Sequence, residues 1–281
     1  MASEDLDSYA FEVGMVEAGE EGNSFRTQND PKAPIQREWI VQRTGAIDIR
    51  CTAKDVIHGY LESGEGYATL IVHDFQFDPR KTARRISSVD IEFFYYAMDG
   101  APSPETLVQT TQTETKTSST DLTAGADGFG AQVGGGRKWE TTINRETTDT
   151  TRIIGSMDIK KRNYGKPNTA SWTLLENKSA ETGVPAHLRV AILLKRHDDD
   201  TEFQCECKIK ARVDLVSRIG AMFRSVPKDD PILYDPTRDP TNVLRRPYDV
   251  ENLGAVQLED LTVVEFTNNE DEAEKAVQPA K

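Results

Sequence analysis

Along residues 203 to 215 apolar and polar side chains alternate: Phe203, Cys205, Cys207, Ile209, Ala211, Val213 and Leu215 are interleaved with Glu206, Lys208, Lys210, Arg212 and Asp214. Successive side chains of a strand point to opposite faces, so this period of two predicts one packed and one solvated face, with Phe203, Ile209, Val213 and Leu215 buried. Val89, Ile91, Phe93 and Tyr95 alternate with Asp90, Glu92, Phe94 and Tyr96 in the same manner, the second face here gaining aromatics. Strands are read at Ala46–Ala53, Tyr67–Phe77, Ser88–Met98, Leu107–Ser119, Lys138–Asp149, Thr151–Ile159, Ala170–Glu176, His187–Arg196 and Glu202–Leu215, with turn residues between them. A helical period is confined to Leu215–Phe223 and Val250–Leu261, which predict only short helical turns. Runs of strands without alternating helices predict an all-β fold, an antiparallel β-sandwich. Pro227, Pro231, Pro236, Pro240 and Pro247 space out a segment whose fixed φ angles predict an ordered extended strap.

The stretch from Thr106 to Thr151 has its own pattern. Two Thr-rich flanks, with Thr110, Thr111, Thr113, Thr115 and Thr117 on one side and Thr141, Thr142, Thr147, Thr148 and Thr150 on the other, enclose a glycine-rich centre from Gly125 to Gly136. Threonine is stiff at its branched Cβ and favours a pleated strand, so the stretch predicts a long polar hairpin around a flexible crossing. Phe129, Ala131 and Val133 alternate with small or polar residues at its tip and are the candidate partner-contact residues. The glycines are no dinucleotide fingerprint, which needs an apolar strand before it and a helix after it.

Charge changes the picture of the two ends. The 281 residues carry a formal −13. Of this, −7 falls in the first 25 residues, which hold no Lys or Arg, and −2 falls from residue 268 onward, leaving −4 for the body. Residues 1–35 are read as a disordered acidic tail, 36–267 as one sandwich-like domain and 268–281 as a second tail. The alternation Tyr9, Phe11, Val13, Met15 offers an alternative, a strand that adds to a sheet edge or to a partner. Nucleic acid is disfavoured as a partner, because phosphate backbones need a positive stripe that these acidic ends would oppose. The greasiest window, Val190–Leu194, is only strand-length, far short of the roughly 20 residues of a spanning helix. An acidic opening and three unpaired-looking cysteines predict cytoplasmic residence.

Candidate chemistry is sparse. Cys205 and Cys207 share a strand face but lack two further soft ligands at zinc-site spacing, so they read as buried apolar cysteines. His73-Asp74 is adjacent in sequence, yet alternation sends the two to opposite faces. His187 and His197 read as strand-end residues. Asp198 to Thr201 reads as a hairpin turn, and Asp229, Asp230, Asp235 and Asp239 as turn formers beside prolines. No catalytic, cofactor-binding or metal residue is assigned, and no cofactor is expected.

Several phrases are similar to a group of uncharacterised proteins of filamentous fungi: Trp172-Thr-Leu-Leu-Glu-Asn-Lys-Ser179, Gly183-Val-Pro-Ala-His-Leu-Arg189 with Ala191-Ile-Leu-Leu-Lys-Arg196, and Asp230-Pro-Ile-Leu-Tyr-Asp-Pro236 leading to Pro240-Thr-Asn242 and Glu251-Asn-Leu-Gly254. That resemblance implies a fungal source and an intracellular β-rich domain, and it transfers no site. The Thr106–Thr151 stretch alone resembles the insertion segment of aerolysin-like pore-forming proteins, whose spanning strands are Ser/Thr-rich and whose tips are apolar. Together these readings predict a non-catalytic soluble binding protein, meeting a protein or a small hydrophobic ligand, with membrane contact disfavoured. The alternatives are a cofactor-independent accessory enzyme or ligand-shaping protein of a fungal specialised-metabolite pathway, and an aerolysin-like pore former.

Overall fold

A computed structural model describes residues 26–43, 47–79, 85–98, 103–110, 151–179, 181–213 and 228–266. Their strands are β1 (Trp39–Arg43), β2 (Asp48–Glu62), β3 (Glu65–Asp78), β4 (Ile86–Ala97), β5 (Glu105–Gln109), β6 (Arg152–Asp158), β7 (Thr169–Leu175), β8 (His187–Lys195), β9 (Phe203–Val213), β10 (Ile232–Tyr234), β11 (Thr241–Asn242) and β12 (Val263–Glu265). They form two antiparallel sheets packed as a sandwich. One runs β1-β2-β3-β8-β12, with β11 beside β1 on the edge of β2 and β5 beside β12 on the edge of β8; the other runs β10-β9-β4-β7-β6. Two 3-10 turns, Leu253–Ala255 and Leu258–Leu261, are the described helical elements, in the stretch where short helical turns were expected.

The core lies between the sheets. Ile71, Phe75 and Phe77 of β3, Leu188, Val190, Ile192 and Leu194 of β8, Val89, Ile91, Phe93 and Tyr95 of β4, and Trp172 of β7 all project into it. The first sheet is also buried on its outer face. Ile57, Ala68, Leu70, Val72, Ala191 and Leu193 are roofed by Leu244, Tyr248, Leu253, Leu258 and Leu261 of the C-terminal strap. A strand covered on both faces reads as an unbroken apolar run rather than an alternating one, and this is why Val190–Leu194 is continuous. The strap crosses β2 at a glycine. Tyr60 N donates to the Val250 carbonyl at 2.7 Å, and a Cβ on Gly59 would fall 2.1 Å from that oxygen. From residue 228, where its described part begins, the proline-spaced segment passes from one sheet to the other, pairing with β9 through β10 and with β2 through β11.

Strand β2 runs nine residues beyond the Ala53 boundary expected from alternation. A bulge between Ala53 and Asp55 shifts the register, so Ile49, Cys51 and Ala53 face the core before it and Val56 does so after it. The phase of the pattern flips and the sequence period ends there. Strands β1, β10, β11 and β12 are too short to show a period. Asp198 to Thr201 forms a turn, with Thr201 N on Asp198 Oδ1 at 2.8 Å, but not a hairpin, because β8 and β9 belong to different sheets. Phe203 is buried and Ile209 packs against the core; the side chains of Val213 and Leu215 lie outside the described residues, as does Leu215–Phe223.

Residues 26–35, placed by sequence in the acidic tail, are tied to the segment before β10. Arg37 donates to the carbonyl of Asp230 (2.7 Å), to Asn29 Oδ1 (2.6 Å) and to the carbonyl of Trp39 (3.1 Å). Thr27 N donates to Asp229 Oδ1 at 2.7 Å, and Arg43 pairs with the same carboxylate. The segment expected to form a hairpin, Thr106–Thr151, lies outside the described residues except for its ends. Those ends sit in different sheets: β5 on the edge of β8, β6 on the edge of β7. Thr110 and Thr151 are both buried there, and Trp172 Nε1 donates to the Thr110 carbonyl at 2.8 Å.

Candidate functional site

The interior histidine His73 and the interior thiols are held in neutral, sheltered forms. His73 is fully buried, stacked on Phe93 with ring centroids 4.3 Å apart and planes 3° from parallel, and neither ring nitrogen has a partner among the described residues. Burial alone lowers its pKa to about 3, so the ring is a neutral core aromatic at physiological pH. Asp74 sits on the opposite face, bonded to His187 Nε2 at 2.9 Å and Arg189 Nε at 2.8 Å, so no His73–Asp74 dyad forms. Cys51 joins Cys205 and Cys207 in the core although it comes from the facing sheet, and all three thiols are free. Burial pushes each of them up, and for Cys51 and Cys205 the neighbouring Cys207 adds to the shift; a thiol so disfavoured as thiolate is neither a nucleophile nor a ready metal ligand. Among the described residues, no group of three or more His, Cys, Asp and Glu is placed to hold a metal ion.

A polar cluster closes one end of the sandwich. His58 Nδ1 lies 2.9 Å from Thr69 Oγ1 and its Nε2 lies 2.6 Å from the Gln36 amide nitrogen. Burial, with help from the Arg196 charge, lowers the His58 pKa to about 4. Arg196 is itself buried and donates to the carbonyls of Asp198 (2.8 Å) and Asp199 (2.7 Å). Its guanidinium also lies 5.6 Å from the centre of the Tyr67 ring. The pocket beside it, lined by Pro104, Arg196, His197, Asp198, Thr201 and Phe203, has a volume of about 10 Å³ and would hold about one water molecule. With its donors turned to backbone carbonyls, Arg196 is a knot that ties the β8–β9 turn to β3.

The outer face of the five-stranded sheet is different, because side chains that could meet a partner are fixed there in an ordered array. The even residues of β4 project onto it. Phe94 and Tyr96 stack with centroids 5.0 Å apart, and the loop after β6 folds back so that Lys161 Nζ stands 4.6 Å over Phe94 and 5.4 Å over Tyr96. Lys160 pairs with Glu92 and lies 5.8 Å from the Phe94 ring. Glu206 accepts from Lys228 Nζ at 2.8 Å and from the Tyr96 hydroxyl at 3.3 Å, with Lys161 Nζ 3.5 Å away. Burial works to raise the Glu206 pKa, but the Lys228 hydrogen bond and the Lys161 charge outweigh it and hold the carboxyl below its ordinary value. Tyr96 is pushed up to about 12 by burial and by Glu206. Across the β4–β9 ladder Asp90 faces Lys210 and Glu92 faces Lys208, so charges of both signs surround the aromatic pair. Ile154, which shares this face, is 46% exposed, and Tyr164, in the loop that carries the two lysines, is 83% exposed.

The aromatics of this face were visible in the β4 alternation. Lys160, Lys161 and Lys228 were not, since nothing in the sequence joins them to residues 92–96 and 206. Phe129, Ala131 and Val133, the expected contact tip, lie outside the described residues. No helix among the described residues is long and apolar enough to cross a membrane. Comparison with protein-family models, with curated proteins and with solved structures finds no match to the chain.

Proposed function

We propose that this chain is a non-catalytic binding protein of the cytoplasm and that its partner is another protein, met on the outer face of the five-stranded sheet. The observation that carries the reading is the contrast between the two outer faces. One is roofed by the chain's own strap. The other presents two lysines over an aromatic pair, with Ile154 46% exposed on the same face and Tyr164, in the loop that carries the lysines, 83% exposed. Tyrosine and half-exposed apolar side chains inside a polar rim are the usual anchors of protein interfaces, and a mosaic of both charge signs fits a protein surface better than a polyanion.

A photo-crosslinking residue placed at Tyr164 in cells that express the protein tests this. It should capture a discrete protein partner, and Lys161→Ala should weaken the capture with only a small change in melting temperature. Capture no different from that of the same probe at Val250, exposed on the strap, would overturn the proposal.

A further inference from the structure

Strand β6 is an edge: among the described residues it pairs only with β7. Glu176 N donates to the Ser87 carbonyl and Tyr95 N to that of Asn168, so the even residues of β7 face β4 and its odd residues, Thr169 to Leu175, face β6. Their partners Arg152, Ile154, Ser156 and Asp158 therefore commit their backbone groups to β7. The N–H and C=O groups of Ile153, Gly155 and Met157 point the other way, out of the sheet edge. Proline and lysine, two residues that commonly block such an edge, are missing from Arg152–Asp158.

An incoming antiparallel strand must match these outward residues with outward residues of its own. β6 meets that requirement with itself. Setting Gly155 opposite Gly155 of a second copy places Ile153 opposite Met157, so that each pair can exchange two backbone hydrogen bonds. The same register places Arg152 opposite Asp158 on the shared outer face, and two-fold symmetry provides that pair twice. Both side chains are available. Arg152 is exposed and has no ion pair among the described residues, while the exposed Asp158 carboxylate, among the described residues, accepts from the hydroxyls of Ser156 (3.2 Å) and Ser171 (3.1 Å). Ile154 and Met157, otherwise wet, would be covered.

We propose that the chain associates into a two-fold dimer through antiparallel pairing of β6 with β6 of a second copy, centred on Gly155, which joins the two five-stranded sheets into one. The inference goes beyond the binding role and does not depend on it, because it concerns purified protein alone. Sedimentation equilibrium of the full chain over about 1 to 200 µM should show a dimer fraction rising with concentration. Arg152→Asp and Asp158→Arg should each weaken association by about tenfold or more, and the double swap should restore it to within roughly threefold of wild type. Gly155→Pro should abolish the dimer with little change in melting temperature, since that N–H serves no bond to β7. A wild type that stays monomeric throughout, or single charge variants that dimerise as wild type does, would overturn the proposal. Monomeric protein with the Gly155 amide protected from hydrogen exchange would assign the edge to the chain's own residues instead.

Discussion

Replacing His73 by Phe tests the reading of the core most sharply. His73 lies between Ala53 and Val190 in the first sheet and stacks on Phe93 of the second, so a phenyl ring retains the shape and the stacking while removing the two unpartnered nitrogens. A free histidine titrates near 6.5, whereas the folded ring titrates near 3. The unfolded chain therefore binds the extra proton first, and stability falls as the pH drops from about 6.5 towards the folded value, being fully present only above that range. At pH 4.5 the unfolded ring is charged and the folded one neutral, and two pH units at 1.36 kcal/mol each amount to about 2.7 kcal/mol lost relative to neutral pH. His58, lowered to about 4, adds a similar loss to both proteins. Carboxylates titrate in the same window, so the quantity to read is the difference between wild type and His73→Phe. Urea unfolding followed by tryptophan fluorescence, repeated from pH 4.5 to 7.5, should show that difference shifting by about 2.7 kcal/mol in favour of the variant on acidification. At pH 7.5 the variant should be at least as stable as wild type, because an unpaired buried nitrogen costs about 1–3 kcal/mol. A gap between the two proteins that stays constant with pH would refute the placement of His73 in a dry core.

Two further substitutions probe the frame around it. Trp172→Phe strands the Thr110 carbonyl and leaves part of the indole volume empty, and should cost about 2–4 kcal/mol in urea unfolding; a loss below about 0.5 kcal/mol would mean that the indole does not anchor that end of the edge. Gly59→Ala drives a methyl group into the Val250 carbonyl and should cost about 3 kcal/mol or more, with faster proteolysis after residue 243; wild-type stability would mean that the strap does not cross there.

How much could be read in advance depends on whether a residue's surroundings are written in its own neighbourhood. Phe203, Cys205 and Ala211 announce their buried face because β9 has one wet side, and alternation records that directly. The His73-Asp74 pair was legible for the same reason. The bulge after Ala53 erased the signal for the rest of β2, since one extra residue inverts the phase without changing composition. Val190–Leu194 was legible as a strand, but its cover was not, because the covering leucines sit some fifty to seventy residues later and their short helical period does not say which strand they cover. The charged aromatic face was half legible: β4 displays Phe94 and Tyr96, whereas the lysines above them arrive from loops whose only constraint is tertiary. The convergence of Cys51 with Cys205 and Cys207 follows from sheet packing, which no local spacing encodes.

The roof over the first sheet also has a place in time. Synthesis proceeds from β1 onward, so β2, β3 and β8 can pair before residues 243–262 exist. At about 5–20 residues per second the ribosome needs several seconds to pass from Lys195 to Leu261. Through that interval Ile57, Leu70, Val72 and Leu193 form an apolar stripe on a sheet that is already hydrogen-bonded, a surface suited to chaperones or to a neighbouring nascent chain. Completion of the strap is then the step that takes the newborn sandwich out of their reach.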